Sequence, residues 1–307
     1  MRLRVGVIDV GTNTSRLLVA ESTAGGYRTL DRRLIFTRLG EGVDSSGVLT
    51  QAAVDRTLAA VAEFCATCGE LDVRSVHIAG TSALRDASNA EIFIDAATRL
   101  AGSPARVLTG AEEAELTFSG ATSDLDYGSY LVVDIGGGST EFVIGEPIGR
   151  VRERISVDIG AVRLTEKHLL SDPPATEEIL TMEGEIEEAL DRVEQVITDA
   201  RESKLVGVAG TVTSLSSMFL GLEQYDAEAT HHHRLARAAV TELYRQLAAT
   251  PVSGRLQIPS LPEGRADIIV AGCSILARTM ARWNFEEVIV SEKDILDGLV
   301  IQMLEQT

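Results

Sequence analysis

Two stretches of this chain carry acids, small residues and hydroxyls in the same order. Val5–Ala20 reads VGVIDVGTNTSRLLVA, and Leu131–Gly145 reads LVVDIGGGSTEFVIG. Overlaid, they match Asp9 with Asp134, Gly11 with Gly136, Thr14 with Ser139 and Ser15 with Thr140. Each reads as a buried strand ending in an acid, a tight turn of small residues and a returning strand. Glycine lets backbone N–H groups converge with no Cβ in the way, and such a concavity can wrap a phosphate. An Asp at the strand end can hold a magnesium ion against that phosphate. Ordinary glycine hairpins are the alternative for either stretch alone. The shared order Asp-x-Gly-x-x-Ser/Thr, met twice, argues for one device used twice.

Two more small-residue turns, Gly80-Thr81 and Gly210-Thr211, each follow an apolar strand. In α/β sheets, ligands sit outside the carboxyl ends of strands, so all four turns can face one cleft. Asp134–Ser139 is the most specific of them, with three consecutive glycines before two hydroxyls. A cluster of acids, Glu112, Glu113 and Glu115, crowds one helix start in LTGAEEAELTFSG. Acids there are favourable in any helix. The helical wheel does not choose among the three, because the apolar face is Ala111, Ala114, Phe118 and Ala121. Arg16 takes the repeat position that Glu141 holds, and is either cleft-facing or an exposed strand residue. His231-His232-His233 reads as a polar connection, since adjacent residues do not easily bring three rings to one ion. Cys65 and Cys68 share a helix already three turns long, which favours buried small side chains over a redox pair.

The elements that must position these groups alternate. The first hairpin is followed by a strand at Tyr27–Thr37 and a helix capped by Thr50, running to about Gly69 with Val54, Leu58, Val61 and Cys65 as its face. Next come a strand at Arg74–Ala79, a helix at Ser88–Leu100 with Ile92, Phe93, Ala96 and Leu100 facing the core, a strand at Ala105–Leu108 and a helix at Gly110–Gly120. The second half repeats this opening with strands near 130–134, 140–145 and 149–157. Helices follow near 160–170 and 176–201, then a strand at Lys204–Val208 and helices near 211–220, 234–249 and 263–282. A strand at Phe285–Val290 and a helix at Asp294–Glu305 close the chain. The acids Glu183, Glu185, Glu187 and Glu188 read as a solvated helix face. With 307 residues and no low-complexity linker, the chain predicts two domains, 1–124 and 125–307, joined by a hinge near 122–128, the final helix (about 294–307) packing back on the first. The fold class is α/β: two ribonuclease-H-like domains of the actin-like ATPase superfamily around a central cleft.

Composition excludes several functions. A net charge of −18 argues against a nucleic-acid-coating protein and repels polyanions at long range. No apolar run spans a membrane and no signal peptide precedes Asp9, so the expected location is cytoplasmic, with no membrane partner. Three cysteines make no disulfide framework.

The set GVIDVGTNTSRLLV, GTSALRDASN, LTGAEEAELTFSG, VVDIGGGSTEFVIG and VAGTVTSL resembles the exopolyphosphatase and guanosine pentaphosphate phosphohydrolase (Ppx/GppA) family, from residue 5 to about 302. Sugar kinases share the fold but not the Glu-Glu helix ahead of DIGGGSTE. The resemblance implies that Glu113 activates the attacking water and that Arg85 faces the phosphate site. It also implies phosphate binding at Gly136, Gly137, Gly138 and Ser139, with Gly11, Thr12, Asn13 and Thr14 as the opposing loop. Gly210 and Thr211 join them from the fourth turn. Asp9, Asp134 and Glu141 supply oxygen ligands for Mg²⁺. Longer members carry a helical region beyond this length, so the chain resembles a short two-domain form.

These readings converge on an exopolyphosphatase that hydrolyses the terminal phosphoanhydride of inorganic polyphosphate, short chains favoured. The alternatives are a guanosine pentaphosphate 5′-phosphohydrolase acting on a (p)ppGpp-type nucleotide, and a non-catalytic phosphate or nucleotide sensor. Aromatic residues are 4% of the chain and mark no base pocket, which favours polyphosphate. Glu113 together with Asp134 and Glu141 argues against a sensor. The reading leaves room for a homodimer.

Overall fold

A computed structural model describes residues 3–147 and 150–306. The chain divides into two compact units: Met1–Gly120 with Ile295–Thr307, and Ala121–Asp294. The division falls four residues before the sequence-based boundary.

The first unit holds strands β1 (Arg4–Val10), β2 (Thr14–Thr23), β3 (Gly26–Phe36), β4 (Ser75–Gly80) and β5 (Ala105–Val107). Its helices are α1 (Val43–Ser46), α2 (Gln51–Glu70), α3 (Ser82–Asp86), α4 (Ala90–Ala101) and α5 (Gly110–Thr122). The sheet order is β3-β2-β1-β4-β5, with β1 antiparallel to β2 and parallel to β4. Strands β1 and β2 are buried on both faces, which is why they read as continuous apolar runs. Alternate residues separate the faces. Ile8, Val10, Leu17 and Val19 pack with Val54, Val61 and Phe64 of α2 and Phe93 and Ala97 of α4. Val5, Val7, Leu18 and Ala20 pack with Leu116 of α5 and with Leu296, Leu299 and Val300. Those last three belong to the final helix of the chain, which therefore completes the first unit. Its buried Asp297 accepts hydrogen bonds from Tyr27 and from Arg32 (2.9 Å), tying that helix to β3.

The second unit holds β6 (Tyr130–Ile135), β7 (Thr140–Glu146), β8 (Arg150–Val157), β9 (Lys204–Val208), β10 (Arg234–Ala236) and β11 (Glu287–Val290). Its helices are α6 (Ala161–His168), α7 (Thr176–Val196), α8 (Ala209–Phe219), α9 (Ala227–Thr230), α10 (Arg237–Ala249), α11 (Val252–Arg255) and α12 (Ile269–Arg282); α13 (Ile295–Glu305) is the final helix already described. The sheet order β8-β7-β6-β9-β11 repeats that of the first unit, with β10 added at the edge. Both units are thus α/β with the ribonuclease-H-like strand order. Among the described residues, no helix is long and apolar enough to cross a membrane.

Several expectations shift by a residue or two, and three change in kind. The core face of α4 is Phe93 and Ala97, whereas Ile92 and Leu100 are exposed, because the sheet contacts the neighbouring stripe of the helix. Glu183 is buried, taking hydrogen bonds from Tyr244 (2.9 Å) and Arg278 across the α7–α10–α12 packing. Glu187 pairs with Arg282, so part of the expected solvated face is an interhelix network. The expected helix at 234 begins at Arg237, since Arg234–Ala236 pairs with β11 instead. The expected strand start at Gly149 lies outside the described residues. Thr50 caps α2 as expected, its hydroxyl accepting from Ala53 N–H at 3.2 Å. Cys68 is buried and Cys65 half-buried; burial raises both thiols, Cys68 to about 12, which leaves them inert rather than redox-active.

Candidate functional site

The repeat device takes the same form in both units. In the first, Gly11 N–H donates to Thr14 O at 2.9 Å; in the second, Gly136 N–H donates to Ser139 O at 3.1 Å. Each bond closes the turn between the first two strands of a sheet. The acids sit alike: Asp9 lies opposite Arg16 across β1–β2, and Asp134 opposite Glu141 across β6–β7. Side chains alternate faces along a strand. Asp9 and Arg16 therefore lie on the sheet face away from α2 and α4, and Asp134 and Glu141 on the face opposite Val133, Ile135 and Phe142.

The carbonyls of Thr12 and Asn13 in the first turn, and of Gly136, Gly137 and Gly138 in the second, are held by donors. In the first, Thr12 O accepts from Gly40 N–H (2.9 Å), and Asn13 O accepts from Thr37 N–H (3.1 Å) and Arg38 N–H (2.9 Å). In the second, Gly136 O accepts from Ala161 N–H (2.9 Å) and Gly137 O from Val162 N–H (2.8 Å) and Arg163 N–H (3.1 Å). Gly138 O accepts from the Arg163 side chain at 2.7 Å. In a planar trans peptide, the C=O of one residue and the N–H of the next point to opposite sides. Fixing these carbonyls toward the segment after the third strand turns the N–H groups of Asn13 and Thr14, and of Gly137, Gly138 and Ser139, the other way. Successive amides aimed to one side form an anion-binding concavity.

The backing segments need glycine. A Cβ on Gly160 would lie 2.5 Å from Gly137 C and 2.6 Å from Gly138 C. A Cβ on Gly40 would overlap the Thr12 methyl and lie 3.1 Å from Ala83 Cβ. Leu39-Gly40 and Ile159-Gly160 each follow the third strand of a repeat and were missed by overlaying only the hairpins. Carrying the overlay one strand further would have matched them.

Electrostatically the halves differ. Arg16 donates to Asp9 Oδ2 from both Nε (3.0 Å) and Nη2 (2.7 Å) and is largely buried against it. That settles Arg16 as a partner of the strand-end acid and not an exposed strand residue. In the second unit the equivalent neighbour is a second carboxylate. Glu141, 1% exposed, accepts from Ser139 Oγ (2.8 Å) and Ser156 Oγ (2.7 Å) through Oε1, and Asp134 is buried beside it in the ladder. Two carboxylates and a hydroxyl in one place are hard oxygen donors of the kind that suits magnesium. Asp9 is less suited, because a cation there competes with the Arg16 guanidinium.

The acid-bearing helix α5 resolves a choice left open by its wheel. Glu112 is used in capping. It accepts from Thr109 N–H (2.8 Å) and Thr109 Oγ1 (2.9 Å), Thr109 Oγ1 accepts from Glu112 N–H (3.2 Å), and Arg106 adds an ion pair. These Thr109 bonds, with help from Arg106, hold the Glu112 carboxyl below its ordinary value. The pattern is a capping box, Thr109-x-x-Glu112. Glu115 is exposed. Glu113 is buried and pairs directly with Arg85 from α3. Arg85 also donates to Leu108 O at 3.1 Å. Leu108 N–H donates to Gly80 O (2.9 Å), and Thr81 N–H to Val10 O (3.2 Å). The carboxyl ends of β1, β4 and β5 thus bring Thr12–Thr14, Arg85 and Glu113 into one neighbourhood.

Gly210 and Thr211 are not a free turn. They form the first turn of α8, behind Ala209 with φ +66°. A Cβ on Gly210 would overlap the Arg265 guanidinium, which donates to Ser214 Oγ at 3.1 Å. Gly272 gives room to the Thr211 side chain. This places a cation, Arg265, at the carboxyl end of β9.

The histidine run makes a cluster after all. His231 and His232 stack at 3.9 Å, and both approach Asp124, with Lys293 Nζ 2.8 Å from Asp124 Oδ2. His231 Nδ1 accepts from Glu292 N–H (3.2 Å), so the proton sits on Nε2 and points at Asp124 (3.0 Å). A metal at Nε2 would need that proton gone and the lysine displaced, so the geometry suits a tie between chain segments better than an ion. Burial would raise the Asp124 carboxyl, but His231 and Lys293 together hold it well below the carboxylate range.

Comparison with known proteins decides the family. The model of the Ppx/GppA phosphatase family matches residues 18–307. The chain belongs to that family. Among Ppx/GppA relatives, exopolyphosphatase 2 of Mycobacterium tuberculosis is 38% identical, over 98% of this chain and 98% of its own. The crystal structure of an exopolyphosphatase from Cytophaga hutchinsonii is 30% identical and superposes with a TM-score of 0.92 over 99% of this chain and 98% of that one. The Aquifex aeolicus family member is 30% identical, with a TM-score of 0.83 over 100% of this chain and 99% of that one. The protein is therefore a phosphatase-family enzyme, and its fold superposes on solved Ppx/GppA structures along nearly its whole length.

Proposed function

We propose that this Ppx/GppA protein is an exopolyphosphatase releasing the terminal phosphate of inorganic polyphosphate. The observation that carries the reading is the division of labour on α5: Glu112 is consumed in capping, while buried Glu113 is held by Arg85. The name of the 38% identical full-length relative points the same way.

Phosphoryl transfer asks for placement and charge neutralisation more than covalent help. Arg85 pairs with Glu113 and so orients its carboxylate, which takes a proton from the attacking water. The water oxygen bonds to the terminal phosphorus as the bridging P–O bond breaks. The bridging oxygen leaves with the chain, now one phosphate shorter. The amides of Gly137, Gly138 and Ser139, and of Asn13 and Thr14, stabilise charge on phosphate oxygens. Arg265, near Gly210 and Thr211, adds a cation. Asp134 and Glu141 would hold Mg²⁺, with Asp9 as a weaker candidate. When bound, that ion neutralises phosphate charge.

The test is phosphate release. Glu113→Gln keeps the shape and loses the base, so turnover falls by about 10²–10⁴ with the fold intact. Glu112→Gln costs far less and acts mainly through stability. A larger loss in the Glu112 variant refutes the assignment. Guanosine pentaphosphate run in parallel separates the two substrates. Release from that substrate but not from polyphosphate replaces the proposal.

A further inference from the structure

We infer that Arg163 is a positioning residue, one that aims the last amide of the DIGGGST turn at bound phosphate. The inference rests on the reading that this turn grips phosphate. Helix α6 supplies three backbone N–H groups to the carbonyls of Gly136 and Gly137, and these aim the amides of Gly137 and Gly138. No backbone amide among those bonds reaches Gly138 O. That oxygen is taken by the Arg163 guanidinium, Nε to O at 2.7 Å. Because the Gly138–Ser139 peptide is trans, holding its carbonyl toward Arg163 turns Ser139 N–H toward the opposite side.

The need for a side chain here follows from the turn itself. Three glycines leave the backbone unusually free to rotate. The Gly136 and Gly137 peptides are pinned by rigid helix amides, while among the described residues the Gly138 carbonyl is held only through Arg163. In the first unit the corresponding carbonyl, Asn13 O, is held by two backbone amides, Thr37 and Arg38. The residue there in the place of Arg163, three beyond the backing glycine Gly40, is Val43, a buried core residue. The Thr12 and Asn13 carbonyls of the first turn are therefore held by main-chain amides, and the second turn is held in part by a charged side chain. A guanidinium also binds a carbonyl more strongly than a neutral donor does, and its charge sits just behind an anion-binding turn.

Arg163 is also half-buried at the start of α6, so its stem could act by packing alone. The experiment separates the two roles. Arg163→Met keeps the stem and removes the donor; Arg163→Ala empties the slot for added ethylguanidinium. Affinity for inorganic phosphate is measured by calorimetry, turnover by release from polyphosphate, and folding by thermal melting. Expected are about tenfold weaker phosphate binding and roughly 10- to 100-fold lower kcat in both variants, with melting midpoints close to the parent. Ethylguanidinium restores Arg163→Ala but not Arg163→Met. Phosphate affinity within twofold of the parent in Arg163→Met overturns the inference. So does a loss that follows melting and that ethylguanidinium leaves untouched. If neither variant folds, Arg163→Leu, which keeps apolar bulk and has no donor, is read the same way: weaker phosphate binding at an unchanged melting midpoint supports the role, and parental affinity overturns it. Phosphate affinity needs no turnover. A parent that releases nothing from polyphosphate therefore defeats the functional reading while the Arg163 comparison still stands or falls by itself.

Discussion

Gly160→Ala is the smallest change that attacks the geometry of the second turn without removing any reacting group. The added Cβ would stand 2.6 Å from Gly138 C and 2.5 Å from Gly137 C, and it would overlap Gly137 O. Carbon atoms pack at about 3.5–4.0 Å, so the turn and α6 must part by about 1 Å. Both obstacles are backbone, so no side chain can swing aside. Overpacking of this kind costs about 1–3 kcal/mol. Part of that is the strain on the bonds from Ala161, Val162 and Arg163 to the turn. At about 2–4 °C per kcal/mol for a domain of this size, the melting midpoint falls by about 2–12 °C, and the protein still folds. A displacement of about 1 Å at groups that must meet a transition state costs on the order of 10²-fold in rate. The expected result is therefore a disproportion: kcat for phosphate release drops about a hundredfold while most molecules stay folded at the assay temperature. Gly40→Ala is the matched control. There the main obstacle is the Thr12 methyl, the end of a side chain that can rotate, so the loss is smaller. Parental kcat in Gly160→Ala, or equal losses in the two variants, would refute the claim that backing by α6 aims the turn.

Asp134→Asn and Glu141→Gln should raise the Mg²⁺ concentration needed for half-maximal activity, because hard cations prefer charged oxygens; a parent whose activity survives chelation rules out metal assistance. Asp297→Ala leaves Tyr27 and Arg32 without their shared buried acceptor and should lower stability by about 1–3 kcal/mol, read by urea melts, with α13 exchanging amide protons first. On long polyphosphate, a protein of net charge −18 should act distributively, because repulsion acts over about 8 Å at physiological salt and chain beyond the site gains no binding. Gels of partial digests should show the whole population shortening together. Full-length chains persisting beside free phosphate would mean processive action.

The local alternation of apolar, small and acidic residues was enough to locate both hairpins, the strand-end acids, the glycine turns and most of the helices. Those features are encoded within a few residues of each other, as strand periodicity, glycine runs and the Thr50 cap. The sequence repeat also carried the two-unit α/β plan, since matching stretches fold into sheets of matching strand order. What it left open were matters of partnership. A helical wheel ranks Ile92 and Phe93 alike, and only docking on the sheet buries Phe93 and exposes Ile92. Glu112 and Glu113 are neighbours of one type; one is spent on Thr109 and the other meets Arg85, which is 28 residues away in sequence. Glu183 resembles its exposed neighbours until Tyr244 and Arg278 arrive from other helices. The direction of the turn amides was not legible either. It depends on Gly40, Gly160 and Arg163, which lie after the third strand of each repeat and meet the turns only when the chain folds back. Tertiary structure decided these points because each is a contact between residues far apart in sequence, and no periodicity within one segment encodes its partner.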